Sequence, residues 1–92
     1  MGKYIIELSP AAEKDLKAHK KAGNRANIKK LENIFKELSI TPYEGTGKPE
    51  ALKHELTGFW SRRINQKDRL IYQVSEQIVT VLVISAMGHY EQ

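Results

Sequence analysis

Glu50, Arg63, Arg69 and His89 are the residues of this 92-residue chain whose types together suit acid–base chemistry on a phosphate. Glu50 follows Pro49 at the end of a stretch, "TPYEGTGKP", that holds two prolines and two glycines within nine residues. A carboxylate there acts as a base only if its neighbours set it against a hydroxyl. Arg63 closes the run Phe59-Trp60-Ser61-Arg62-Arg63, and Arg69 opens the next alternating run. With an odd number of residues in the turn between them, both arginines point to one sheet face. A phosphate between them would then be held by charge-assisted, often bidentate bonds. The plainer alternative is a solvated polar face paired with Asp68 or Glu76. His89 follows Gly88 after an apolar run, and an imidazole there can give up a proton near neutral pH. Tyr90 beside it can stack on a base or touch a phosphate. Base, phosphate stabiliser and acid make a ribonuclease set, and Lys48 and Lys53 add positive charge around the loop.

The elements that must position these groups are readable from period and punctuation. Residues 4–8 form a β-branched and aromatic strand. Ser9-Pro10 caps a helix and opens it, with Glu13 in its first turn and Ala12, Leu16 and His19 as its inner stripe. Gly23-Asn24 ends it. A second helix carries Ile28, Leu31, Ile34, Phe35 and Leu38 inward and its lysines outward, and stops at Thr41-Pro42. Residues 53–56 are a candidate short strand before a Thr57-Gly58 turn. Residues 60–64 and 69–74 alternate as strands about a polar turn at 65–68. Arg62 shares a face with Trp60 and Ile64, which asks for its stem over the core and its head in water. Residues 78–84 are apolar on both faces, as a central strand would be. The order is β-α-α-β-β-β, with one further short strand in reserve. The expected class is α+β: two N-terminal helices packed on an antiparallel sheet.

Composition sets the bounds. One domain, residues 1–92, is expected, with a shallow surface site, because a chain this short encloses little volume. The formal net charge of +4 favours an acidic partner. The chain has no cysteine, which removes disulfides and thiolate metal sites and suits a reducing cytoplasm. Its three histidines lack metal-ligand spacing, so neither a metal nor a cofactor is expected. The start lacks the long apolar stretch of a signal peptide, and the longest apolar segment, about ten residues, is too short for a bilayer.

The stretch "TPYEGTGKPEALKHELTGFWSRRINQKDRLIYQV" (residues 41–74), with His89-Tyr90, closely resembles the YoeB (Txe/YoeB) branch of the RelE-like toxins. The resemblance implies a RelE-like β-α-α-β-β-β fold and ribosome-dependent, metal-independent cleavage of mRNA in the aminoacyl site. It implies Glu50 as general base, Arg69 as the arginine on the phosphate and His89 as general acid. Tyr90, Arg63 and Lys53 correspond to substrate-binding positions. It further implies a cognate YefM-like antitoxin with an acidic or amphipathic segment, a partner ribosome and mRNA, and a homodimer as one accessible state. Departures are Asp68 where His is common, an N-terminal helix without the usual Trp and Tyr, and Gly88, which would loosen His89. Two other functions are weighed against this one. A ParE-like gyrase inhibitor would need no acid–base set, and an inactive RNA- or antitoxin-binding module would be indifferent to Glu50 or His89.

Overall fold

The computed structural model describes residues 3–88. Five strands form one sheet in the order β1-β5-β4-β3-β2. They are β1 (Ile5–Leu8), β2 (Glu50–Ala51), β3 (Phe59–Arg63), β4 (Arg69–Ser75) and β5 (Thr80–Ser85). Helices α1 (Pro10–Ala22) and α2 (Arg25–Leu38) fill the connection between β1 and β2.

The helix ends follow their capping residues. Ser9 Oγ accepts from the Ala12 amide at 3.0 Å and donates to the Ile84 carbonyl at 2.7 Å, tying the start of α1 to β5. Gly23, in the left-handed region at φ 72°, ends α1. Asn24 caps α2 through the Asn27 amide. Leu31, Ile34 and Leu38 of α2 and Ala12 of α1 are buried against Ile64, Leu70, Tyr72, Val81 and Val83. Both helices therefore cover one face of the sheet, and among the described residues no helix packs on the other, here called the open face. Among the described residues, no helix is long and apolar enough to cross a membrane.

The α+β class and the helix pair are as expected, and three details of the sheet differ. β1 runs parallel to β5, so the sheet is mixed where a wholly antiparallel one was expected. The two helices between β1 and the rest let the chain return in the same direction. Residues 53–56 are not a strand: His54–Leu56 is a 3-10 turn. His54 has φ 57° there, and the Leu56 amide donates to the Lys53 carbonyl at 3.0 Å. The short strand lies earlier, at Glu50–Ala51, where it pairs with β3. Ile78 lies outside β5 and is 66% exposed, because Val79 turns the chain at φ 48° before Thr80 enters the sheet. β5 is interior, as expected, between β1 and β4.

Candidate active site on the open sheet face

Register sets the open-face residues. Arg63 pairs directly with Arg69, with five residues between them, so both side chains stand on one face. Ser61 shares that face by alternation, and Glu50 pairs with Ser61, which puts Glu50 there as well. Trp60, Arg62 and Ile64 take the opposite, helix-covered side. Two strand spacings across and two residues along separate the Cα atoms of Glu50 and Arg69 by about 12 Å. Glu50, Arg63 and Lys53 are exposed, and Arg69 is half-buried. Arg69 Nη1 donates to the carbonyls of Asn65 at 3.0 Å and Asp68 at 3.3 Å, which aims the guanidinium from the turn. Lys53 stands at the start of the 3-10 turn, two residues past β2. His89 and Tyr90 lie outside the described residues. Among those described, no three His, Asp or Glu side chains converge as a metal set.

Arg62 is the main departure from expectation. Its head is not in water: the residue is fully buried. A guanidinium carries five N–H donors, and all are used. Nε donates to Tyr72 Oη at 3.2 Å, and Nη1 donates to Glu37 Oε1 at 2.6 Å and the Thr46 carbonyl at 3.3 Å. Nη2 donates to the carbonyls of Thr41 and Glu44, each at 2.9 Å. Tyr72 Oη in turn donates to the Pro42 carbonyl at 2.7 Å. Arg62 thus holds residues 41–46 by their backbone and fixes the loop that leads into Glu50. Glu37 completes the hold, accepting from the Thr46 amide at 2.7 Å and from Thr46 Oγ1 at 2.6 Å. Burial alone raises the Glu37 pKa, but the Thr46 donors and Arg62 outweigh it and keep the carboxyl below its ordinary value.

The loop's glycines follow from this packing. A Cβ on Gly45 would lie 2.2 Å from Glu37 Oε1, and one on Gly47 would lie 2.7 Å from the Arg63 carbonyl. Gly47 also accepts from the Arg63 amide at 2.6 Å, so the loop is laid against the end of β3. A second fastening lies at Glu76, whose carboxylate accepts from Tyr4 Oη at 2.8 Å and from Tyr43 Oη. The Tyr43 ring packs on Trp60 with centroids 5.1 Å apart. The Glu76 bond, with burial and charge behind it, pushes the Tyr43 phenol up to about 12. Sequence reasoning missed Glu37 and Thr46, and it offered Glu76 as a partner for the arginines where the structure pairs it with Tyr4 and Tyr43. The signal that existed was Arg62 on a core face, which demands an acidic partner without saying which.

The open face thus carries two opposed arginines with a carboxylate at its edge, on a two-helix, five-stranded α+β frame. The sequence profile described as "YoeB-like toxin of bacterial type II toxin-antitoxin system" matches residues 9–90. Toxin YoeB of Escherichia coli O6:H1 is 48% identical over 63 residues, 68% of this chain and 73% of that protein. A Staphylococcus aureus structure titled as a YoeB dimer aligns with a TM-score of 0.81 and 36% identity, covering 96% of this chain and 99% of that one. A YoeB-YefM complex from the same organism aligns with a TM-score of 0.78 and 38% identity, covering 95% of this chain and 98% of that one. The chain belongs to the YoeB-like toxins of bacterial type II toxin–antitoxin systems.

Proposed function

We propose that this toxin is a ribosome-dependent endoribonuclease that cleaves mRNA in the aminoacyl site without a metal and so stops translation. The reading rests on one observation above others: Glu50, Arg63 and Arg69 share the open sheet face, with the two arginines directly opposed. Glu50 takes the proton from the 2′-hydroxyl as its oxygen attacks the adjacent phosphorus. Arg69 and Arg63 meet the negative charge that builds on the phosphorane. His89 gives a proton to the departing 5′-oxygen, and Tyr90 and Lys53 hold the substrate. The products carry a cyclic or 3′-phosphate and a 5′-hydroxyl. The ribosome orients the mRNA, which is why a shallow face suffices. The reaction places the toxin in the cytoplasm. Its partners are a YefM-like antitoxin and, in one state, a second copy of itself; the two Staphylococcus aureus structures support both.

Reconstituted bacterial translation with and without ribosomes is the test. Wild type is compared with Glu50→Ala, Arg69→Ala and His89→Ala, and product ends are mapped. Cuts within codons that need ribosomes and fall on the order of 100-fold or more in the variants are expected. A folded wild type that cuts nothing, or cuts indifferent to all three substitutions, overturns the reading.

A further inference from the structure

The three residues that follow β5 lie outside the strand, yet the backbone of the first and the last of them is held by hydrogen bonds from α1, the 65–68 turn and the start of β4. The Ala86 amide donates to Asp15 Oδ2 at 2.9 Å. The Ala86 carbonyl is 2.7 Å from His19 Nε2. A carbonyl only accepts, so His19 carries its proton on that nitrogen. The Gly88 amide donates to Asp68 Oδ1 at 2.9 Å, and the Gly88 carbonyl accepts from the Arg69 amide at 3.1 Å. Ala86, His19 and Asp68 are all buried. Asp68 is itself locked: its Oδ2 accepts from Asn65 Nδ2 at 3.0 Å, and Asn65 Oδ1 accepts the Lys67 and Asp68 amides, each at 2.8 Å. Gly88, expected to loosen the tail, is therefore pinned through both of its backbone polar groups.

We infer that Asp15, His19 and Asp68 form a positioning clamp that fixes Ala86 and Gly88, at the end of the described chain, beside Arg69. The turn that aims the Arg69 guanidinium through the Asn65 and Asp68 carbonyls also grips the chain at Gly88. Arg69 and Gly88 thus share one point of attachment, the turn at residues 65–68. The importance of this for cleavage rests on the function proposed above, because His89 acts only if delivered within hydrogen-bond reach of the leaving oxygen. A largely buried polar network of this kind is costly to build unless every member is satisfied, and among the described residues no buried side-chain nitrogen or oxygen lacks a partner.

The test pairs amide hydrogen exchange with single-turnover cleavage on programmed ribosomes. Its variants are Asp68→Ala, His19→Leu and His19→Gln, the last of which keeps a donor for the Ala86 carbonyl. In Asp68→Ala the Gly88 amide is expected to exchange on the order of tenfold faster or more, while the Val81 and Val83 amides keep their protection. The cleavage rate should fall by roughly 10- to 100-fold with half-saturation nearly unchanged, since misplacement alone costs that much. His19→Gln should retain more of the rate than His19→Leu. Unchanged Gly88 exchange in Asp68→Ala overturns the clamp, and faster exchange with an unaltered cleavage rate overturns its positioning role. If wild type cleaves nothing, the function reading fails by itself and exchange alone decides the clamp.

Discussion

Arg63 and Arg69 face each other across β3 and β4, and like charges so paired repel by up to about 1 kcal/mol. A fold keeps such a pair at a cost unless an anion sits between them. Arg63→Gln should therefore leave thermal stability unchanged or raise it slightly, by about 0.5 kcal/mol, while weakening mRNA cleavage. Added phosphate should raise the melting temperature of wild type more than that of the variant. A variant that melts earlier than wild type in plain buffer would show that Arg63 is structural. Tyr43 gives a second check on single residues. Its folded pKa, pushed up to about 12 chiefly by the Glu76 bond, lies above the ordinary phenol value of 10.0. Its contribution to stability is thus full below pH 10 and lost as pH rises through the folded value. Tyr4 and Tyr72 are raised as well, so a tyrosinate absorbance titration should show several late phenols and one fewer in Tyr43→Phe.

The loop of residues 41–49 is fastened to the frame chiefly through buried Arg62 and its partner Glu37. Removing Glu37 strands the Arg62 guanidinium, so Glu37→Gln should cost about 2–3 kcal/mol, less than a fully buried pair because the Glu37 side chain keeps 30% exposure. Limited proteolysis should then cut within residues 41–49 first. Gly47→Ala meets both the Arg63 carbonyl and a φ of 85°, and should cost roughly 1–2 kcal/mol in urea unfolding. Helix limits were legible because Ser9-Pro10, Gly23 and Asn24 cap locally. The common face of Arg63 and Arg69 was legible because alternation and an odd turn fix it. The two-residue strand at Glu50 was not, since pairing with β3 creates it rather than propensity. Nor was the Arg62–Glu37 pair, which joins residues 25 positions apart on different elements, or the parallel pairing of β1, which depends on where the chain returns.

Across the described residues, acidic side chains fasten irregular segments to the frame: Glu37 and Glu76 hold the loop, and Asp68 holds Gly88 beyond the end of β5. All three carboxyls lie below their ordinary values. For Glu37 and Asp68 burial pushes upward and is outweighed by hydrogen bonds, from Thr46 and Arg62 in one case and from Gly88 and Asn65 in the other. For Glu76 the tyrosine hydroxyls dominate. A carboxyl with a lowered folded pKa contributes stability above its unfolded value and loses it as pH falls through the folded one. Urea midpoints should therefore be flat down to about pH 5 and drop below the unfolded values of 4.5 for Glu and 3.8 for Asp. Glu37→Gln should shrink that drop.

The proposed attack by a 2′-hydroxyl has one direct test. An mRNA carrying a single 2′-deoxy nucleotide at the mapped cut position is loaded on ribosomes with wild-type toxin, beside the all-ribose message. Binding should match while cleavage at that position vanishes. Cleavage of the deoxy message at the ribose rate would contradict attack by the 2′-oxygen and, with it, the role proposed for Glu50.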